Sequence, residues 1–171
     1  MKGFISVEIP TKRYIRAYII SRLGEKPLMN TDHNIGSKLH DVLQHTTNET
    51  KTRFSNKRYN AMIKVYISHY LYQHRGGFLN ETNIKQFNLF VEREIKKDYR
   101  MCMDLFIRIH PSFEANLPEV RKIIGIDLED WSDDSIKKDY YRYRKSAGLP
   151  LIYKNIFAAT VPSTRFVDGG F

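Results

Sequence analysis

The period of the apolar positions changes several times along this chain, and each change marks an element. Ile5, Val7 and Ile9 alternate with Phe4, Ser6 and Glu8. That period of two predicts a short strand over 4–9, stopped by Pro10, which has no amide hydrogen to give a sheet. Thr11 is placed to cap a helix from Lys12 to about Leu23, and Gly24 to end it in a left-handed turn. On that helix Tyr14, Ile15, Tyr18, Ile19 and Arg22 recur at helical spacing, which leaves Lys12, Arg13 and Arg16 on the other face.

A polar loop around Pro27 and Asn30 to Asn34 leads to a short amphipathic helix with Ile35, Leu39, Val42 and Leu43, ending near His45. The pattern then lapses, and 46–60 reads as an exposed basic loop. Ile63, Val65, Ile67, His69 and Leu71 alternate with Lys64, Tyr66, Ser68, Tyr70 and Tyr72, so 61–73 is read as a strand, with a helix as the alternative because the aromatics fit both periods. Paired with 4–9 it gives a small sheet over part of a helical core. Gly76 and Gly77 break the element.

Asn80 or Thr82 opens the longest helix, which runs to about Ile109 through Ile84, Phe87, Val91, Ile95, Tyr99, Cys102 and Phe106. His110-Pro111 ends it, because a residue before proline avoids the helical conformation. Asn116 is read as the cap of a short helix through Leu117, Val120, Ile123 and Ile124, stopped by Gly125. Ser132 caps a second, from Asp133 to about Lys145, whose acidic start and basic end both suit the helix dipole. Residues 151–171 read as an extended tail. The expected fold class is mainly α (α+β), a helical domain with a small two-stranded β element in one domain spanning 1–171.

Composition agrees: 171 residues with 42% apolar content, 10 Phe and 11 Tyr supply ample core material for one domain. The lone Cys102 excludes an internal disulfide and a Cys-rich zinc site. Glu8 and Pro10 interrupt the N-terminal apolar stretch before it reaches signal-peptide length, and no segment approaches the roughly 20 apolar residues of a membrane span. The expectation is a cytoplasmic protein without a membrane partner.

Charge sharpens the picture. The chain carries a net +9, of which +8 lies in residues 1–75 and +1 in 76–171. The run Lys51-Thr52-Arg53-Phe54-Ser55-Asn56-Lys57-Arg58 is its densest positive patch. The segment from Leu117 to Lys145 joins two helices through a Gly-containing connection and ends in Lys137, Lys138, Tyr140, Tyr141, Arg142, Tyr143, Arg144 and Lys145. In this it resembles a helix-turn-helix DNA-binding module, which implies that the second helix enters a major groove while neighbouring cations hold phosphates. The connection is longer than the usual three or four residues, and the second helix opens on two aspartates. The plainer alternative is that Ile136, Tyr140 and Tyr143 pack on the long helix and the cations only solvate the outer face.

The function expected is non-enzymatic nucleic-acid binding, to DNA rather than RNA, through Arg13, Arg16, Lys51, Arg53, Lys57, Arg58, Lys138, Tyr141, Arg142, Arg144 and Lys145. In style the chain is similar to small basic proteins of phages and mobile elements. The alternative is a protein-interaction or phage structural and assembly subunit, with homo-oligomer contacts through strand 61–72 and tail 151–171. No cofactor or metal is expected. His40 and His45 are five apart and do not share one helical face, His69 and His74 fall on opposite faces of the expected strand, Glu49-Thr50-Lys51 matches half of a nuclease site by chance, and the acids from Asp127 to Asp134 lack the pattern of a calcium loop. Cys102 is expected to be a buried inert thiol.

Overall fold

A computed structural model describes residues 3–45 and 59–150. In chain order these form β1 (Phe4–Thr11), α1 (Arg13–Leu23), α2 (Asn34–Val42), β2 (Ala61–Ser68), α3 (His69–Arg75), α4 (Glu81–Ile109), α5 (Phe113–Ile124) and α6 (Asp133–Ser146). The architecture is mainly α with a small two-stranded sheet. β1 and β2 pair antiparallel with Val7 opposite Val65 and Ile9 opposite Ile63, so one face of the sheet is apolar up to Thr11 at its end. On the other face Glu8 lies opposite Lys64, a favourable cross-strand pair. The apolar face, with Ile15 and Ile19 of α1 and Leu39 of α2, closes on α4, whose Phe87, Val91, Ile95 and Tyr99 are buried.

Four boundaries differ from the expectation. β1 runs through Pro10 to Thr11. Proline is tolerated because the Pro10 carbonyl, not an amide, is the group needed there: it accepts a hydrogen bond from Asn88 Nδ2 at 2.9 Å. Thr11 is therefore not a helix cap. Its hydroxyl is fully buried and donates to Asn88 Oδ1 at 2.6 Å. The cap of α1 comes instead from across the chain, where Asn60 Oδ1 accepts from the Arg13 amide at 3.1 Å.

The stretch 61–73 is a strand only as far as Ser68. Phe4 opposite Ser68 is the last pair of the ladder; the His69 amide donates once more, to the Gly3 carbonyl at 3.2 Å, and from there the backbone bonds to itself as α3. Ser68 Oγ caps that helix by accepting from the Leu71 amide. His69 and His74 thus lie on a helix, not on a strand. Gly76 ends α3 with φ +78°, and a Cβ there would meet the Gln44 carbonyl oxygen at 2.3 Å.

Finally, Ser112, not Asn116, caps α5, its Oγ accepting from Ala115 N at 3.2 Å. Asn116 is buried one turn later, donating from Nδ2 to the His110 carbonyl at 2.7 Å. Pro118 sits inside this helix, at the loss of one intrahelical bond. Among the described residues no helix is long and apolar enough to cross a membrane.

Candidate nucleic-acid interface

Two aspartates fasten α6 to α4. Asp139 of α6 accepts from Tyr99 Oη, from Arg100 Nε at 3.0 Å and from Arg100 Nη2 at 2.7 Å, with Lys96 Nζ at 3.6 Å. Asp104 of α4 reciprocates, accepting from Tyr140 Oη, from Tyr143 Oη at 3.0 Å and from Arg144 Nη1 at 3.1 Å. Burial opposes the charge of Asp139, but the bonds from Tyr99 and Arg100 outweigh it and hold the carboxyl below its ordinary range. Burial, and then the bond to Asp139, pushes the Tyr99 hydroxyl far above its usual value. Two more carboxylates of α4 face α1: Glu92 meets Lys12 at 3.1 Å, and Asp98 meets Arg22 at 2.5 Å and Tyr18 Oη at 2.7 Å.

The consequence is electrostatic. Glu92, Asp98, Asp104 and Asp139 are engaged between the helices, and cations are left outside. On α6, Lys138, Arg142 and Lys145 are exposed and fall at steps of three and four residues, forming one stripe. Tyr141 completes the stripe, half-buried with its ring 6.2 Å from that of Phe113. Arg144 does not belong to it. Only 8% exposed, it donates to Asp104, to Tyr140 Oη at 3.0 Å and to the Pro150 carbonyl at 2.8 Å. Its place is the α4–α6 contact, where the alternative reading of Tyr140 and Tyr143 as packing residues also holds.

On α1, Arg13 and Arg16 are exposed, whereas Lys12 is turned back onto Glu92. The two arginines line a polar pocket of about 520 Å³ together with Asn60, Ala61, Met62 and the carboxylate Asp130. Asn60 lies two residues after Arg58 in the chain. Lys51, Arg53, Lys57 and Arg58 themselves, most of the 46–60 loop and the 151–171 tail lie outside the described residues.

The α5–α6 pair is joined by residues 125–132, a segment stapled by Arg121. Its guanidinium donates to the Asp127 carbonyl at 2.9 Å, to the carbonyls of Ile126 and Trp131, and to the Asp133 carboxylate at 2.5 Å. Trp131 stacks on Tyr14 of α1, ring centroids 5.2 Å apart, and Gly125, at φ +68°, abuts Ser21. This connection is thus bound to α1 and to the body of the protein.

A basic surface on the outer side of α4 was missed from sequence. Arg93, Lys96, Lys97, Arg100 and Arg108 line a groove of about 520 Å³ around the exposed Met101 and Leu105, with Asp104 and Tyr143 completing its wall. The signal was present in the four-residue steps Arg93, Lys97, Met101, Leu105, opposite the buried Ile84, Val91 and Ile95. A net charge of +1 concealed it, because a sum weighs sequestered and exposed carboxylates alike.

Elsewhere, no group of three or more His, Cys, Asp and Glu among the described residues is placed to hold a metal. Cys102 is half-buried, and burial together with the nearby Asp98 raises its thiol above the ordinary value, as suits an unreactive sulfur. Compared with known proteins, the chain matches no family model, no curated protein and no solved structure.

Proposed function

We propose that this is a cytoplasmic, non-enzymatic nucleic-acid-binding protein that holds the phosphate backbone, of DNA in preference to RNA, on a surface built from its N-terminal cations and the outer stripe of α6. The observation that carries the reading is the bond between Asn60 and the start of α1. It sets Arg13 and Arg16 beside Asn60, which in sequence comes two residues after the basic run Lys51 to Arg58. Two exposed cations, Arg13 and Arg16, thus stand beside the segment that follows the basic run in sequence, and a phosphate-binding surface requires such a concentration of positive charge.

Lys138, Arg142 and Lys145 supply further backbone contacts, with Tyr141 as an aromatic neighbour. Arg144 has no part in them, since its charge is held by Asp104. The helix-turn-helix likeness of 117–145 keeps its value for the outer face of α6 and not for its acidic first turn, where Asp133 is bound by Arg121 and Asp134 is exposed. Binding of a random duplex across a salt series tests the reading. Steep loss of affinity with salt, reduced by Arg13→Ala and Arg16→Ala, supports it, and absence of binding at low salt removes it. The second reading, a protein-assembly subunit of the kind found in phages, is favoured by one observation: Met101 and Leu105 are 55% and 54% exposed within a basic groove.

A further inference from the structure

We infer that this chain associates with itself head to tail, the turn bearing Leu128 in one copy seating in the basic groove of α4 in the next. The inference uses neither Arg13 and Arg16 nor the outer stripe of α6, although Asp130 of the turn adjoins the two arginines.

The groove has an apolar floor and a cationic rim. Met101 and Leu105 form the floor, and Arg93, Lys97 and Arg108 stand around it without a carboxylate in ion-pairing distance among the described residues. The other two cations of the lining are held, Arg100 by Asp139 and Lys96 by Glu92 and Asp139, and its one carboxylate, Asp104, is held by Arg144. An occupant must therefore be apolar at its centre and acidic at its edge.

The same chain carries such a surface. Leu128 and Ile123 are 59% and 45% exposed. Between Glu119 and Asp134 the sequence has six carboxylates and two cations, and of those cations Arg121 is consumed by the Asp133 carboxylate and three backbone carbonyls. Asp127, Leu128, Glu129 and Asp134 face solvent. The turn that presents Leu128 is rigid: the amides of Asp130 and Trp131 both bond to the Asp127 carbonyl at 3.2 Å, and the Arg121 staple closes it from behind. A preorganised turn that displays a leucine among carboxylates loses little conformational freedom on docking. The fold itself gains nothing from exposing that leucine.

The two surfaces cannot satisfy each other within one molecule. α6 lends Tyr143 to the groove and Asp133, Asp134 and Lys137 to the pocket beside Leu128, and no residue lines both. Lys137 does not cancel the acidic patch, because its ammonium is engaged by Glu114. A contact between unlike surfaces of identical chains propagates into an open array or closes into a ring.

The test uses the full-length protein without nucleic acid, by sedimentation velocity over a concentration series at low salt. The wild type is expected to associate beyond the dimer, and to do so less as salt rises. Leu105→Glu spoils the groove and Leu128→Lys spoils the turn; both sites are exposed, so far-UV circular dichroism and thermal unfolding should match the wild type. Each variant alone is expected to weaken association at least about tenfold, with Lys97→Glu as a second groove variant giving the same result. Mixed in equal amounts, Leu105→Glu and Leu128→Lys should form a one-to-one dimer and nothing larger, since the mixture holds one intact groove for each intact turn. A wild type that stays monomeric at all concentrations, variants that associate as the wild type does, or a mixture that fails to form the dimer would each overturn the inference.

Discussion

Replacing Asp104 with alanine isolates what holds α6 in place. The carboxylate takes hydrogen bonds from Tyr140, Tyr143 and Arg144, and its side chain is 23% exposed while that of Arg144 is 9% exposed. Removing it leaves the Arg144 guanidinium buried without a counter-charge. Breaking a buried pair on one side costs about 3–5 kcal/mol, and the lower end applies here because Arg144 keeps the Pro150 carbonyl and Tyr140 Oη as partners. A loss of about 3 kcal/mol, with a urea slope of about 2 kcal/mol per molar, lowers the unfolding midpoint by about 1.5 M. Urea titration followed by circular dichroism reads this directly. Joining Arg144→Met to Asp104→Ala should recover most of the loss, since the double variant leaves no buried charge unpaired. A shift below about 0.5 kcal/mol for Asp104→Ala alone would refute the reasoning and mean that apolar contacts, not the aspartate, position α6.

Asp139 makes the same contact pH-dependent. Its carboxyl is held below the ordinary range, so its stabilising effect is complete above the unfolded value of about 4 and is lost as pH falls through the lower folded value. Urea midpoints measured from pH 7 to pH 3 should decline at the acid end, and Asp139→Asn should be less stable at pH 7 with a shallower acid decline; a variant as acid-sensitive as the wild type would exclude Asp139 as a source of the dependence. At the sheet, Asn88→Leu orphans the buried Thr11 hydroxyl and the Pro10 carbonyl, for an expected loss of about 1–3 kcal/mol in the same titration. Adding Thr11→Val should make the double variant less unstable than the sum of the two, and strict additivity would show that the pair does not interact.

Apolar period made much of this fold legible. The 29 residues of α4 keep one apolar stripe and a strong N-cap at Asn80, so its bounds are those expected, and the period-two face of β1 finds the matching face of β2. The errors arose where the deciding partner is remote in sequence. Whether 61–73 stays extended depends on where β1 runs out, and whether Thr11 caps a helix depends on Asn88, 77 residues away. A local pattern carries neither.

The candidate site was legible in type and only in part in place. Arg13, Arg16, Lys138, Arg142 and Lys145 are exposed, as solvent-facing helical positions should be. Arg144 follows the same spacing closely enough to pass for one of them, yet Asp104, 40 positions earlier, draws it inward. The groove on α4 was hidden for the complementary reason: carboxylates elsewhere in 76–171 cancel its cations in a sum over the sequence, whereas Arg93, Lys97 and Arg108 have no ion-pair partner among the described residues.

The most direct measurement of the central claim is the salt dependence of binding to a random DNA duplex, for the wild type and for Arg13→Ala/Arg16→Ala. If both arginines touch phosphate, the slope of log affinity against log salt should fall in magnitude by about 2 in the variant, at about 0.9 for each phosphate left without its arginine, with the fold unchanged by circular dichroism. An unchanged slope, or a wild type that does not bind at low salt, would contradict the claim that these cations form a phosphate-binding surface.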